Sequence, residues 1–320
     1  MRRCLSSINR YWFEEAPAAR LAVLRILLGS YTIVYLWPRY GMLMRISSTS
    51  SSLFEPVGLA VFLDGPVAPE IFNISLLATF AANLAFVAGW RFRTSGPIFA
   101  LLLLWVLCYR NSWSMIYHSH NIVVVHALIL GFVPSADALS IDSLIYSRQG
   151  DLRPFVSDIW GDREAQNAWQ YGWPIRLICW ATVLAYFLSG VAKVAGPMGW
   201  SWMGGSALRM QISVDAIRKE MLGRGASDVF IVLFEQVWFF TMMGVGTIVL
   251  ELGAPLFMFS RRATRIWALG ILAMHWGIYL IMGIIFRYQL AGLVIASFFD
   301  VEKPINWMVS RLKLRTARSP

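Results

Sequence analysis

The sequence predicts an all-α fold, a polytopic membrane helical bundle of about eight transmembrane helices with both termini on the cytoplasmic side. Three observations predict it. The 320 residues are 58% hydrophobic and 14% charged, where soluble domains carry about a quarter charged residues, and mean hydropathy is +0.58. Apolar runs of about the length needed to cross hydrocarbon recur along the chain. Basic residues also concentrate on alternate connections between those runs.

The runs are Leu21–Trp37, Ile71–Trp90, Pro97–Tyr117, Asn121–Phe132, Ile175–Val194, Val237–Phe259, Ile266–Phe286 and Leu290–Phe299. The first follows a basic N-terminus as a signal peptide would, but Arg25 interrupts it and no small-x-small cleavage site follows, so it is retained as a span. A first outer loop, about 39–70, is marked by the serine cluster Ser47–Ser52 and by Pro56, Gly58 and Gly65-Pro66. The fourth and eighth runs fall short of the ~17 residues of a straight crossing, which leaves them tilted, joined to flanking residues or re-entrant. Between the fourth and fifth lies the longest polar stretch, a cytoplasmic loop of about 135–173, whose Trp160, Trp169 and Trp173 suit an interfacial belt. A second outer segment, about 195–235, contains Ser206–Leu222, where Leu208, Ile212, Ala216 and Leu222 alternate with Arg209, Arg218 and Lys219 at helical spacing. That pattern predicts an amphipathic helix on the outer face. No internal repeat is evident, and residues 1–320 read as a single integral membrane domain.

The net charge of +10 reports topology rather than a nucleic acid partner. With the N-terminus inside, the cytoplasmic segments hold Arg2, Arg3, Arg10, Arg20, Arg91, Arg93, Arg148, Arg153, Arg163, Arg261, Arg262, Arg265, Lys303 and a tail from Arg311 to Arg318. The opposite side holds Arg39, Arg45, Arg209, Arg218, Lys219, Arg224 and Arg287. This is the positive-inside distribution, and it requires an even number of spans. The basic tail is also suited to anionic lipid. The three cysteines, Cys4, Cys108 and Cys179, form no C-x-x-C and no outer pair. Neither a disulfide framework nor dithiol chemistry of the epoxide-reductase kind is expected, and the pattern fits a bacterial inner (plasma) membrane.

Lys193 is the residue that points to chemistry. An ammonium on a membrane-spanning helix costs about 3 kcal/mol or more, so it marks a functional site unless it reaches the headgroups. Tyr186, Ser189, Gly190 and Lys193 stand at i, i+3, i+4 and i+7, a small and polar face that packs on helices rather than lipid. Burial on such a face disfavours the charged form of an ammonium and makes it a usable base. The competing reading is an interfacial anchor, because the breaker Gly196-Pro197 follows closely.

The four histidines, His118, His120, His126 and His275, all lie within or beside apolar runs. No H-x-x-H or carboxylate-histidine pair occurs, and His120 and His126 are about 120° apart on a helix, so no metal is expected. Topology puts Lys193 at the outer end of the fifth span, in the same layer as His118, His120 and Asn121 and as Arg110 and Asn111. It puts His275 near mid-membrane. Glu251 falls in the inner half of the sixth span, where it is expected to serve packing or ion pairing away from that layer.

Several segments together carry a resemblance: LRILLG (Leu24–Gly29), YRNSW with HSHN (Tyr109–Asn121), AYFLSGVAKVAG and GWSWMGG (Ala185–Gly205), VLELGAP (Val249–Pro255) and MHWGIYLIMGIIF (Met274–Phe286). In order and spacing they resemble the membrane domain shared by vitamin K-dependent gamma-glutamyl carboxylases and their bacterial HTTM relatives. The resemblance implies a lyase-type activity in which reduced vitamin K or menaquinol is deprotonated and reacts with O2, becoming an epoxide and generating a base that removes a glutamate gamma proton before CO2 adds. It implies that Lys193 is the catalytic base, while the lysine that precedes it in the animal enzymes is Ala192 here. His120 matches the family's histidine, in HSHN rather than NNHS. Tyr186, Arg110, Asn111, His118, His275 and Trp200 are the expected lining of a quinol pocket. The carboxylases also carry an extensive luminal domain with no counterpart here, so peptide recognition is expected from segments 39–70 or 195–235, or from another subunit. The leading expectation is therefore quinol oxygenation coupled to modification of an acceptor such as a peptide glutamate. The alternative is a non-catalytic membrane subunit that helps a peptide partner mature or leave the cell. A transporter ranks below both, because neither duplicated halves nor paired broken helices are seen. Membrane lipid, a lipophilic quinol and a peptide substrate or partner subunit are the expected partners, with no nucleic acid.

Overall fold

The computed structural model describes residues 2–113, 116–149, 167–304 and 307, with side chains at all of these except 2–5, 8, 118 and 146–149. Trp160, the acidic residues from Asp151 to Glu164 and the basic tail beyond Arg311 lie outside them. The described residues are mainly helical. They comprise α1 (Arg2–Trp12), α2 (Ala18–Leu36), α3 (Tyr40–Ser47), α4 (Pro69–Ala88), α5 (Phe92–Asn111), α6 (His118–Phe132), α7 (Ile141–Gln149), α8 (Trp169–Ala195), α9 (Ser206–Met221), α10 (Asp228–Leu233), α11 (Val237–Leu252), α12 (Arg261–Met282) and α13 (Arg287–Leu290). A short antiparallel bridge joins β1 (Ala16–Pro17) to β2 (Asn167–Ala168).

Five helical segments are long and apolar enough to cross a membrane: Ala18–Ser47, Pro69–Ala88, Phe92–Asn111, Trp169–Ala195 and Arg261–Met282. Ser119–Phe132 and Val237–Leu252 are shorter apolar helices. The eighth apolar run departs from a helix of spanning length: it is divided between α13 and a 3-10 segment, Leu293–Phe298. Glycine explains the break. Gly283 ends α12 at φ 61 and Gly292 turns the chain at φ 71, conformations that a side-chain-bearing residue adopts only under strain.

The chain divides into two compact units, Met1–Ile178 with Asp300–Pro320, and Cys179–Phe299. In the first, α5 packs against α4 and α6, and α2 packs against the same two helices. Leu21, Leu28, Leu76, Phe86, Phe99, Leu103 and Val106 are buried there. Glycine lets α5 and α6 touch backbone to backbone: a Cβ at Gly96 would lie 2.6 Å from the Gly131 carbonyl oxygen. Arg25, the charge that interrupts the first apolar run, is completely buried, donating to the Phe86 carbonyl at 3.2 Å and the Leu139 carbonyl at 2.6 Å. It thus adds a second donor to a carbonyl in the last turn of α4 that also accepts the Gly89 N–H at 3.1 Å. Beside it, Asp142 accepts from the backbone N–H of Arg91 at 2.9 Å and Phe92 at 2.8 Å, capping α5 from a distant part of the chain. The unit's C-terminal segment is held by Arg20, which donates bidentately to Glu302 at 2.9 and 2.7 Å and pairs with Asp300 at 2.6 Å.

In the second unit, the predicted amphipathic segment is the helix α9, packed on α11 and α12. Its Ile212 is buried in a cluster with Phe230, Phe240 and Ile281. The Gly199–Trp202 turn that precedes it abuts α11, where a Cβ at Gly244 would strike the Trp202 carbonyl. Farther along the unit, the Trp267 indole donates to the Leu250 carbonyl at 2.8 Å.

Candidate functional site

The small face of α8 meets the end of α11 at Gly190. A Cβ at Gly190 would lie 2.8 Å from the backbone nitrogen of Leu252 and 2.9 Å from the Cβ of Glu251. The absent side chain therefore brings the end of α11 beside the last turn of α8. Lys193, in that turn, donates from Nζ to Glu251 Oε1 at 2.8 Å, to Glu251 Oε2 at 2.6 Å and to Ser189 Oγ at 3.0 Å. The Ser189 hydroxyl in turn lies 3.4 Å from Glu251 Oε1. Ser189 and Lys193 are neighbours by i,i+4 spacing, so helix geometry alone aligns them. The Glu251 side chain is 6% exposed and that of Lys193 is 20% exposed. Removing two charges from water costs several kcal/mol per ion, and it is offset only by close geometry of this kind with further hydrogen bonds.

Aromatic side chains flank the pair. The Lys193 ammonium lies 5.5 Å from the centroid of the Trp202 ring, within cation–π range. Tyr186 sits edge-on to Trp267 and to His275, each at 5.7 Å between ring centroids. His275 is buried, with Nδ1 at 2.9 Å from the Ile271 carbonyl. That acceptor assigns the proton to Nδ1.

The sequence placed Glu251 at a different depth from Lys193, and the structure corrects this. The depth assignment assumed spans of equal length crossing side by side. α11 has 16 residues, a rise of only about 24 Å, and the chain between α8 and α11 folds against α11 at Gly244, so the far end of α11 reaches Lys193. Trp200, expected in the site, is 63% exposed, and the indole beside Lys193 is that of Trp202. Which of the two turns inward depends on the 3-10 turn, for which residue type gives no signal.

Other expected residues gather in the first unit around Tyr117. The Arg110 guanidinium carbon lies 3.9 Å from the Tyr117 ring centroid, Asn111 Oδ1 accepts from the Tyr117 backbone N–H at 3.4 Å, and the His120 ring centroid is 6.1 Å from that of Tyr117 and 4.6 Å from that of Tyr35. The His118 side chain lies outside the described residues. Lys193, Tyr186 and His275 thus belong to one unit and His120, Arg110 and Asn111 to the other.

Comparison with known proteins adds the family. No curated protein and no solved structure matches the chain. The model of the HTTM domain matches residues 13–299. With the membrane-spanning helices, that match makes this chain a multi-pass membrane protein of the HTTM family.

Proposed function

We propose that the protein is a carboxylase-like membrane enzyme in which Lys193 takes a hydroxyl proton from a lipophilic quinol. The observation that carries this reading is the asymmetric burial of the ion pair, with Glu251 almost enclosed and Lys193 in part accessible. An accessible ammonium backed by a carboxylate has somewhere to send its proton. Transfer from Nζ to Glu251 leaves an amine facing the open side, and the amine then accepts the substrate's proton, as general-base work requires. The ammonium formed remains beside the developing negative oxygen and stabilises it.

The residues fit an amphipathic aromatic substrate. Trp202 offers a ring face, and Lys193 and Ser189 offer polar atoms where a hydroxyl needs them. Reduced vitamin K or menaquinol, with O2 as co-substrate, would supply the oxidising chemistry, and carboxylation of an acceptor glutamate would consume CO2. Ser189 fixes Lys193 toward Glu251, and Tyr186, on the same face of α8, packs edge-on against His275.

A second reading rests on α9, where Met210, Val214, Ile217 and Met221 form an exposed apolar stripe at helical spacing. In that reading the chain is a non-catalytic subunit whose stripe holds a partner. One experiment separates the two. Detergent-purified protein is given reduced menaquinone, oxygen and bicarbonate, and quinone epoxide is sought by mass spectrometry. The enzyme reading expects epoxide from wild type and at least about a hundredfold less from Lys193→Ala. Equal epoxide from the two folded proteins, or none from wild type, overturns it. The subunit reading instead expects Lys193→Ala to be harmless and deletion of 206–222 to disable partner maturation.

A further inference from the structure

The first unit holds a buried cation that the Lys193 chemistry does not use. Arg110 lies in the last turn of α5 at 8% exposure, and its Nε and Nη1 are buried without a hydrogen-bond partner. Among the described residues no carboxylate pairs with it. Glu55 donates its backbone N–H to the Ser112 carbonyl at 2.7 Å, two residues past Arg110, and its side chain is exposed. Leaving charged donors buried and unmatched is among the costliest arrangements in a protein interior, which argues that a partner outside this chain completes them.

The surroundings define that partner's charge. Arg110 stacks on Tyr117, and Tyr117 is the N-cap residue of α6, a 15-residue helix with no side-chain cap on its first amides. The start of a helix carries N–H groups without intrahelical partners and positive partial charge; in α6 the His120 N–H is taken by the Tyr117 carbonyl at 3.0 Å, so the two amides before it are the ones that count. Asn111 uses Oδ1 toward the Tyr117 N–H, which leaves its Nδ2 as a donor. Guanidinium, helix amides and carboxamide are all donors, so the cluster suits an acceptor-rich anion and repels a cation.

We infer that Arg110, Asn111 and the first turn of α6 form an oxyanion site that binds a carboxylate or a phosphate. The inference does not rest on the role of Lys193, because every residue in it belongs to the first unit. The ligand is either a soluble anion or the phosphate of a phospholipid.

The test uses the full chain in maltoside micelles washed free of phospholipid. Thermal unfolding is followed with inorganic phosphate, glutarate or dihexanoylphosphatidylglycerol, against chloride at the same ionic strength. A ligand of the native state raises the unfolding midpoint saturably. At least one of the three should do so in wild type, and Arg110→Gln should need about tenfold more of it for the same shift. A shift with the phospholipid alone identifies a lipid headgroup, and a shift with phosphate or glutarate identifies a soluble anion. The site is refuted if none exceeds chloride in wild type, or if Arg110→Gln responds as wild type does. Where Arg110→Gln does not fold, Arg110→Lys serves: it keeps the charge but loses the planar donors, so an undiminished response also refutes the site.

Discussion

Two cations, one in each unit, have opposite surroundings. Lys193 directs its ammonium at both oxygens of one carboxylate and at a serine hydroxyl. Arg110 has a tyrosine ring beneath it, while two of its nitrogens meet no acceptor. Arg25, in the first unit with Arg110, shows that the fold can give both terminal nitrogens of a buried guanidinium a backbone carbonyl, although its Nε, like that of Arg110, meets no acceptor. The difference between a matched and an unmatched buried charge is therefore specific to each position. A matched pair can pass a proton internally, whereas an unmatched donor set calls for an external acceptor.

Substitutions sharpen this contrast. The largest effect on stability should come from Glu251→Leu, which strands the Lys193 ammonium and should cost about 4 kcal/mol in a chemical unfolding experiment. Adding Lys193→Met to it should recover most of that loss without recovering turnover, because an apolar pair of similar volume replaces a buried ion pair at little cost. Arg25→Leu should cost about 3 kcal/mol, since it removes two charged hydrogen bonds and takes from the Leu139 carbonyl its guanidinium donor, while the Phe86 carbonyl keeps the Gly89 N–H. Gly190→Leu should cost about 2 kcal/mol by overpacking against Leu252 and should slow turnover by parting Lys193 from Glu251. Arg110→Leu should leave stability unchanged or raise it by about 1 kcal/mol in lipid-free micelles, because it removes a buried guanidinium whose desolvation is uncompensated there. A loss as large as that of Arg25→Leu would mean that Arg110 is already matched within the fold.

Much of the helical framework was legible in the sequence, because hydrocarbon imposes length and composition on each span. The face of α8 bearing Tyr186, Ser189, Gly190 and Lys193 could be read from spacing, as could α9 from the alternation of Leu208 and Ile212 with Arg209 and Lys219. Less was legible where the outcome depends on chain reversal. Gly292 in left-handed conformation divides the Leu290–Phe299 run, although its composition suits a helix. Glu251 was assigned a depth by counting along α11, which cannot foresee that the preceding segment folds back at Gly244. Arg25 was read only as an interruption, since its partners are carbonyls from residues 61 and 114 positions away. Backbone acceptors leave no mark on side-chain sequence.

The central claim is that Lys193 and Glu251 act as one proton-accepting pair. It is tested most directly by initial rates of quinone epoxide formation in wild type, Lys193→Ala, Glu251→Gln and the double variant. The account predicts that both single variants lose nearly all turnover and that the double variant is no slower than Lys193→Ala, the non-additivity of residues that work as a unit. A Glu251→Gln rate equal to that of wild type, or turnover retained by Lys193→Ala, would contradict it.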